Sequence, residues 1–242
     1  TSSTSSTSST SSTSSTSTNA STYPLQLAAV DCEMCVTREG LELTRISVMN
    51  QYGTNVYDEL VKPKNDITDY ATQYSGITKQ MLLHVTKTLD DVHRDLFFGT
   101  ATTLPLMNVN TILIGHSIEN DLKAMKLIHL KCIDTSVIYP HPRGPPYRSA
   151  LRFLTKKWLG RSIQQGDTSS GGHDSAEDAL GALDLVLMKY HHGTTFGKEN
   201  NKGPGESIFT WLHRETNSNT KTSTTTTTTK EEEGEKQENG TF

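Results

Sequence analysis

The uncharged run Leu25 to Val30, which ends in Asp31-Cys32-Glu33, constrains the fold of this 242-residue chain more than any other segment. A short apolar run of this kind reads as a strand covered on both faces, as at the centre of a sheet. Side chains alternate along a strand, so Asp31 and Glu33 share one face while Cys32 points to the other. Two carboxylates leaving water together are costly unless they neutralise or a cation sits between them. A strand that simply ends at the surface, with its last residues solvated, explains the pair equally well, so the pair alone decides nothing.

Residues 1–22 are almost entirely Ser and Thr, and from residue 214 the chain passes through Thr224 to Thr229 into a Glu-rich end. Neither composition buries enough apolar surface to fold, so disordered tails are expected at 1–22 and 214–242, with one domain over 23–213. The formal net charge of −4 includes the acidic end and says little about the domain. Within the domain, Pro140 to Arg161 carries Arg143, Arg148, Arg152, Lys156, Lys157 and Arg161 with no acid. Such a strip fits a polyanionic partner, although a solvated helix face is the commoner origin of a charge run. Three cysteines argue against a disulfide framework. Cys32 and Cys35 have CxxC spacing, but residues three apart in a strand face opposite sides and no second pair completes a zinc site, so both are expected in the core. Sequons occur only in the tails, at Asn19 and Asn239, and without a signal peptide or a long apolar stretch no membrane association is expected. The chain begins at Thr1 rather than Met, which is compatible with a piece of a longer protein.

Leu25 to Met34, Leu41 to Met49 and Thr54 to Val61 read as strands joined by turns at Arg38 to Gly40 and Asn50 to Gly53. Links that short make three antiparallel neighbours. Thr78 is placed to cap a short helix through Leu83, and Thr88 another through about Phe98. Ile112 to Gly115 is a brief buried strand, Ser117 is expected to cap a helix to about Ile128, and Ile133 begins another strand. Ser149 to Leu159 is apolar at 151, 154 and 158 with Gly160 just beyond, the pattern of an amphipathic helix. Asp174 to Tyr190 is the clearest helix, apolar at 176, 179, 180, 183, 186, 187 and 190, and a last short helix is expected near Gly205 to Arg214. The sum is an α/β domain: a mixed five-stranded sheet flanked by helices.

Asp121 breaks the helical pattern around it. Ile118, Leu122, Met125 and Ile128 form one stripe, and Asp121 falls inside it while Glu119, Lys123 and Lys126 fall outside. An acid on an apolar stripe is the kind of local violation expected at a functional site. His173 and Asp178 follow in Gly171-Gly-His-Asp-Ser-Ala-Glu-Asp, where Ser175 and Asp178 also fit a capping box. A histidine at the end of a Gly/Ser-rich loop is able to swing over a site fixed on the helix. His116, after the strand 112–115, is the rival base. Asp31, Glu33, Asp121 and Asp178 form an oxygen-rich set suited to hard ions such as Mg²⁺ or Mn²⁺. Two such ions, about 3.5–4 Å apart, activate water and stabilise a leaving oxygen in attack on a phosphodiester, with a histidine as general base.

Asp-Cys-Glu-Met-Cys from Asp31, Leu-Thr-Arg-Ile-Ser from Leu43, Tyr-Asp-Glu-Leu-Val-Lys-Pro from Tyr57 and Tyr-Ser-Gly-Ile-Thr from Tyr74 are followed by Gly-His-Ser-Ile-Glu-Asn-Asp-Leu from Gly115. Asp-Thr-Ser from Asp134, His-Pro-Arg-Gly-Pro-Pro from His141 and His-Asp-Ser-Ala-Glu-Asp-Ala from His173 complete the series. In this order and spacing the chain resembles the DEDDh exonucleases, and more narrowly the eukaryotic Rex-type RNA exonucleases, from about Leu25 to Tyr190, with a weaker likeness at Glu206 to Phe209. The resemblance implies a ribonuclease H-like fold and 3′→5′ hydrolysis of single-stranded RNA ends to nucleoside 5′-monophosphates. By the same resemblance the metal carboxylates fall on Asp31, Glu33, Asp121 and Asp178, holding two Mg²⁺ or Mn²⁺ ions, and the general base on His173. Met34 matches a position that contacts the terminal nucleotide; Arg148, Arg152 and His116 are further expected substrate contacts. No small-molecule cofactor beyond metal is expected, and the oligomeric state stays open. Rex-type relatives trim stable RNA precursors, ribosomal and transfer RNA among them, in the nucleus. The chain departs from close relatives at Gln73, where an Arg is usual, and in a longer, more Gly/Ser-rich loop Gln165 to Gly172.

Three other readings compete. A DNA exonuclease differs only in 2′-hydroxyl contacts that the sequence does not reveal. An HD-type phosphohydrolase, prompted by His116 and His173-Asp174, needs an all-helical scaffold. A catalytically silent RNA-binding module would use the basic strip alone.

Overall fold

The computed structural model describes residues 24–164 and 172–198. Both tails, the loop 165–171 and the helix expected near Gly205 to Arg214 lie outside the described residues. The run that opens the domain is strand β1, Leu27–Thr37, followed by β2, Gly40–Asn50, and β3, Asn55–Leu60. β1 pairs antiparallel with β2, and β2 with β3, as the short turns require. A three-residue strand β4, Ile67–Asp69, precedes the short helices α1, Thr72–Ser75, α2, Lys79–Leu82, and α3, Leu89–His93. The Thr78 side chain caps α2, and Thr88 forms a full capping box with Asp91 on α3, which runs on through one wider π turn, Arg94–Phe98. Strand β5, Ile112–Gly115, helix α4, Glu119–Ala124, strand β6, Cys132–Asp134, and helix α5, Thr135–Ile138, come next. Helix α6, Leu151–Leu154, also widens into a π turn, Thr155–Leu159, and stops at left-handed Gly160; α7, Ser175–His192, is the longest helix described.

The sheet order is β3-β2-β1-β5-β6, with β5 and β6 parallel to β1, and β4 added against the far end of β1. The expected mixed sheet thus gains a sixth strand, too short and too polar at Asp69 to show alternation. This sheet excludes the all-helical phosphohydrolase scaffold. β1 is central and covered on both faces. Ala28, Val30 and Cys32 face a core built with Ile46, Val92, Leu96, Leu113, Ile118 and Met125. Ala29 faces the opposite core, with Ile114 and Ala179, Ala182, Leu183 and Val186 of α7. A third cluster packs Tyr139, Leu154 and Trp158 against Leu185 and Met188, so α7 lies between the sheet and the α6 segment. That double cover is why α7 is buried well beyond a single stripe, while its expected stripe member Tyr190 is 81% exposed.

Two expectations need correction. Ser117 is not the cap of α4: it sits at φ 56°, Ile118 occupies the cap position and no side chain caps the helix. The helix also ends at Ala124 rather than near Ile128, because Lys126 turns into the left-handed region at φ 50°, leaving Ile128 91% exposed.

Candidate active site

Alternation places Asp31 and Glu33 on the α7 face of β1, the side of Ala29. Asp31 is half-buried and Glu33 is buried. Along the edge of β1 away from β2, β5 pairs only with Leu27 to Ala29 and β4 only with Val36 and Thr37. The residues between have no strand partner on that edge, and the buried Asp121 carboxylate fills part of the gap: its Oδ1 accepts the Cys32 N–H at 3.0 Å. A backbone donor thus fixes the acid of α4 beside the acids of β1.

The fourth acid comes from α7. The Asp174 side chain caps this helix, accepting from Ala176 N at 3.1 Å, so the capping box suggested for Ser175 and Asp178 does not form. Ser175 Oγ instead lies 2.6 Å from Ser47 Oγ, and Asp178 is buried and turned toward the site. Asp178 Oδ2 accepts from Gln164 Nε2 at 2.7 Å, while its Oδ1 is enclosed with no hydrogen-bond partner. His173 Nδ1 stands 3.5 Å from Asp178 Oδ2, just beyond hydrogen-bond length. Its main chain is anchored, with N–H donated to Tyr74 O at 2.8 Å.

All four acids have raised pKa values, by burial first and, at Asp31 and Glu33, by other members of the set as well. Burial, then Asp121, Asp178 and Glu33, push Asp31 well above the carboxylate range. Burial and Asp178 raise Glu33 to about 9, against an opposing pull from Arg45. Burial lifts Asp121 to about 7 and Asp178 to about 6. An all-oxygen set that resists ionising together, with one carboxylate oxygen left unpartnered, has the donor chemistry of a hard-cation site. Two of the four acids have an oxygen committed to a protein donor, and among the described residues no three His, Cys, Asp or Glu side chains converge as a ready-made ion shell. A cavity of about 620 Å³ lined by Glu42, Lys62, Lys64, His93 and Lys126 includes none of Asp31, Glu33, Asp121 and Asp178.

The remaining expected residues are less uniform. Burial, then the Arg152 charge, lower the His173 pKa. His116 is held through Nδ1 by Thr135 Oγ1 at 2.9 Å, and burial lowers its pKa too. Met34 is partly buried against the core around Val30, directly after a register shift in β1. Arg148 is ion-paired with Glu119, and Arg152 is exposed. The basic strip is not one continuous surface: Arg161 turns inward to Asp184 at 2.8 Å. Sequence reasoning gave no role to Gln164, which follows no periodic pattern, or to Arg45. The latter lies opposite Glu33 in the ladder, forks onto Asp58 through two 2.8 Å bonds and reaches Asp174 at 3.3 Å. Its signal was a charge in the interior of β2, between Thr44 and Ile46.

Residues 28–186 match a family model described as Exonuclease, RNase_T. The chain is 45% identical over 187 residues to RNA exonuclease 1 of Saccharomyces cerevisiae, covering 77% of this chain and 31% of that protein. It is 46% identical over 167 residues to human RNA exonuclease 5, covering 69% and 20%. Among solved structures it is similar to the Neurospora crassa Pan2 catalytic unit, with a TM-score of 0.58 and 25% identity over 72% of this chain and 28% of that one. The sheet and its helices are therefore a ribonuclease H-like exonuclease fold. The chain spans less than a third of the length of these curated relatives.

Proposed function

Because this chain belongs to the exonuclease family whose model spans residues 28–186, we propose that it hydrolyses RNA from the 3′ end and releases nucleoside 5′-monophosphates. The observation that carries this reading is the meeting of Asp31, Glu33, Asp121 and Asp178, from one strand and two helices, with pKa values raised by burial and, at Asp31 and Glu33, by their neighbours. These four carboxylates would hold two divalent cations, Mg²⁺ or Mn²⁺, which when bound supply positive charge and Lewis acidity to the phosphodiester. His173, neutral because its pKa is depressed, accepts the proton of the attacking water at a ring nitrogen. Asp178 Oδ2, 3.5 Å from Nδ1, stabilises the imidazolium that results. Arg148 and Arg152 meet backbone phosphates, while Met34, directly after Glu33, and His116, in the segment between β5 and α4, contact the terminal nucleotide.

RNA is preferred to DNA as substrate because the relatives at 45% and 46% identity are named RNA exonucleases. Precursors of ribosomal or transfer RNA in the nucleus are the natural candidates. The test is degradation of matched RNA and DNA oligonucleotides with a labelled 5′ end. Wild-type protein with Mg²⁺ shortens RNA stepwise from the 3′ end; Asp121→Asn, or a chelator, abolishes shortening. Undiminished activity in either, or a preference for DNA, overturns the reading. RNAs crosslinked to Asp121→Asn in its own cells then identify the substrate.

A further inference from the structure

The loop between α5 and α6 carries a feature that hydrolysis does not use, and we propose that it is a stacking platform for a base of the RNA strand upstream of the cleaved bond. Arg143 Cζ lies 3.9 Å from the centroid of the Tyr147 ring. The His141 ring lies 5.6 Å from the same ring, tilted by 34°. The loop holds the three in place by its own bonds: Gly144 N donates to His141 O at 2.8 Å, Tyr147 N to Gly144 O at 3.1 Å, and Arg143 N to His141 Nδ1 at 3.1 Å. A group ordered before its ligand arrives loses little conformational freedom on binding.

Internal packing does not explain the arrangement. Tyr147 stays 49% exposed and joins none of the three described cores. Arg143 is exposed as well. A phenol ring layered with a guanidinium presents flat π surface and positive charge together, which suits an unpaired base followed by its phosphate.

The platform adjoins the acids through its neighbours. Arg148 is ion-paired with Glu119, two residues before Asp121 on α4. The Ser149 main chain acts on the His116 ring, and the charge of Arg152 reaches His173. A strand with its 3′ end at the acids would run back along Arg152 and Arg148 and meet Tyr147 with an earlier base. Every base has a π face, so the platform adds affinity for longer strands with little sequence preference.

This inference rests on the proposed reading of the acid site, and the experiment separates the two. The fluorescent base 2-aminopurine is placed at successive positions from the 3′ end of an RNA strand, and binding is measured in chelator so that the strand stays intact. Wild-type protein should quench one internal position. Tyr147→Ala should lose that quench and bind the strand about tenfold more weakly, the size of one base–aromatic stack. Tyr147→Phe should keep both. With Mg²⁺ present, the Tyr147→Ala loss should appear in KM rather than kcat and grow from a dinucleotide to a long strand. Quenching without a preferred position, a Tyr147→Ala protein equal to wild type at every length, or failure of Tyr147→Phe overturns the platform. Quenching in chelator by a wild-type protein that also leaves RNA intact when Mg²⁺ is present overturns the exonuclease reading and leaves the platform standing.

Discussion

At the scale of single residues, His173, the proposed general base, matters through the pH at which it loses its proton. Burial and the Arg152 guanidinium both disfavour the imidazolium, so the ring is neutral at physiological pH. His173→Ala should lower kcat by about 10²–10⁴-fold, the range for a lost general base, with the fold unchanged by circular dichroism. The same cause gives a sharper expectation. Removing the Arg152 charge should raise the His173 pKa, so the acidic limb of the rate–pH profile moves to higher pH in Arg152→Gln, and the rate at mildly acidic pH falls. A limb that stays where it was would place the relevant proton on another group. Asp121 was legible in the sequence because a carboxylate on an apolar helical stripe breaks the pattern around it. Gln164 was not, since a polar residue in a loop meets a buried carboxylate only through tertiary packing, and Arg45 was not, since what it pairs with is set by β3 and α7 together.

At the scale of elements, the start of α7 is pinned to the sheet from several sides. Arg45 joins Asp58 of β3 to Asp174, and Ser47 meets Ser175, so strand and helix acids share one frame. The segment before α7 is pressed against α1: Gly172, at φ 139°, packs main chain on main chain, and a Cβ there would fall 2.0 Å from Gly76 N and Cα. Gly172→Ala should therefore push His173 off its anchor on Tyr74 O. We expect kcat to fall by about a hundredfold, as for a catalytic group misplaced by an ångström, with little change in melting temperature because the cores are untouched. A variant with normal kcat would mean that the loop accommodates the methyl group. Periodicity revealed the long elements, β1, β2 and α7, because each repeats its pattern over several turns or pleats. It failed on β4, three residues long, and on the end of α4, where one left-handed residue outweighs a continuing apolar stripe.

At the scale of the whole molecule, the acid cluster opposes the cores that surround it. Glu33, Asp121, Asp178 and Asp31 all have pKa values above those of an unfolded chain, so the folded protein binds more protons than the unfolded one across that interval. Stability without metal should then fall as pH rises from the ordinary carboxylate range near 4 through about 9. Glu42, Asp58 and Asp95 act in the opposite sense: their pKa values are lowered, by hydrogen bonds from Asn65 and Lys64, from Arg45, and from Lys87 and Tyr57, and their contribution is lost on acidification below that range. The two trends place the stability maximum of the metal-free protein at mildly acidic pH. Mg²⁺ should raise the melting temperature most at alkaline pH, where the carboxylates are most fully charged. Asp121→Asn provides the decisive comparison, because the amide oxygen still accepts the Cys32 N–H while one negative charge disappears from the cluster. That variant should be inactive, yet more stable than wild type without metal by about 0.5–2 kcal/mol at neutral pH, with a flatter dependence of stability on pH. Denaturant unfolding in chelator between about pH 5 and 8 measures it, and a destabilised variant with an unchanged pH slope would show that Asp121 serves the fold rather than the charge cluster.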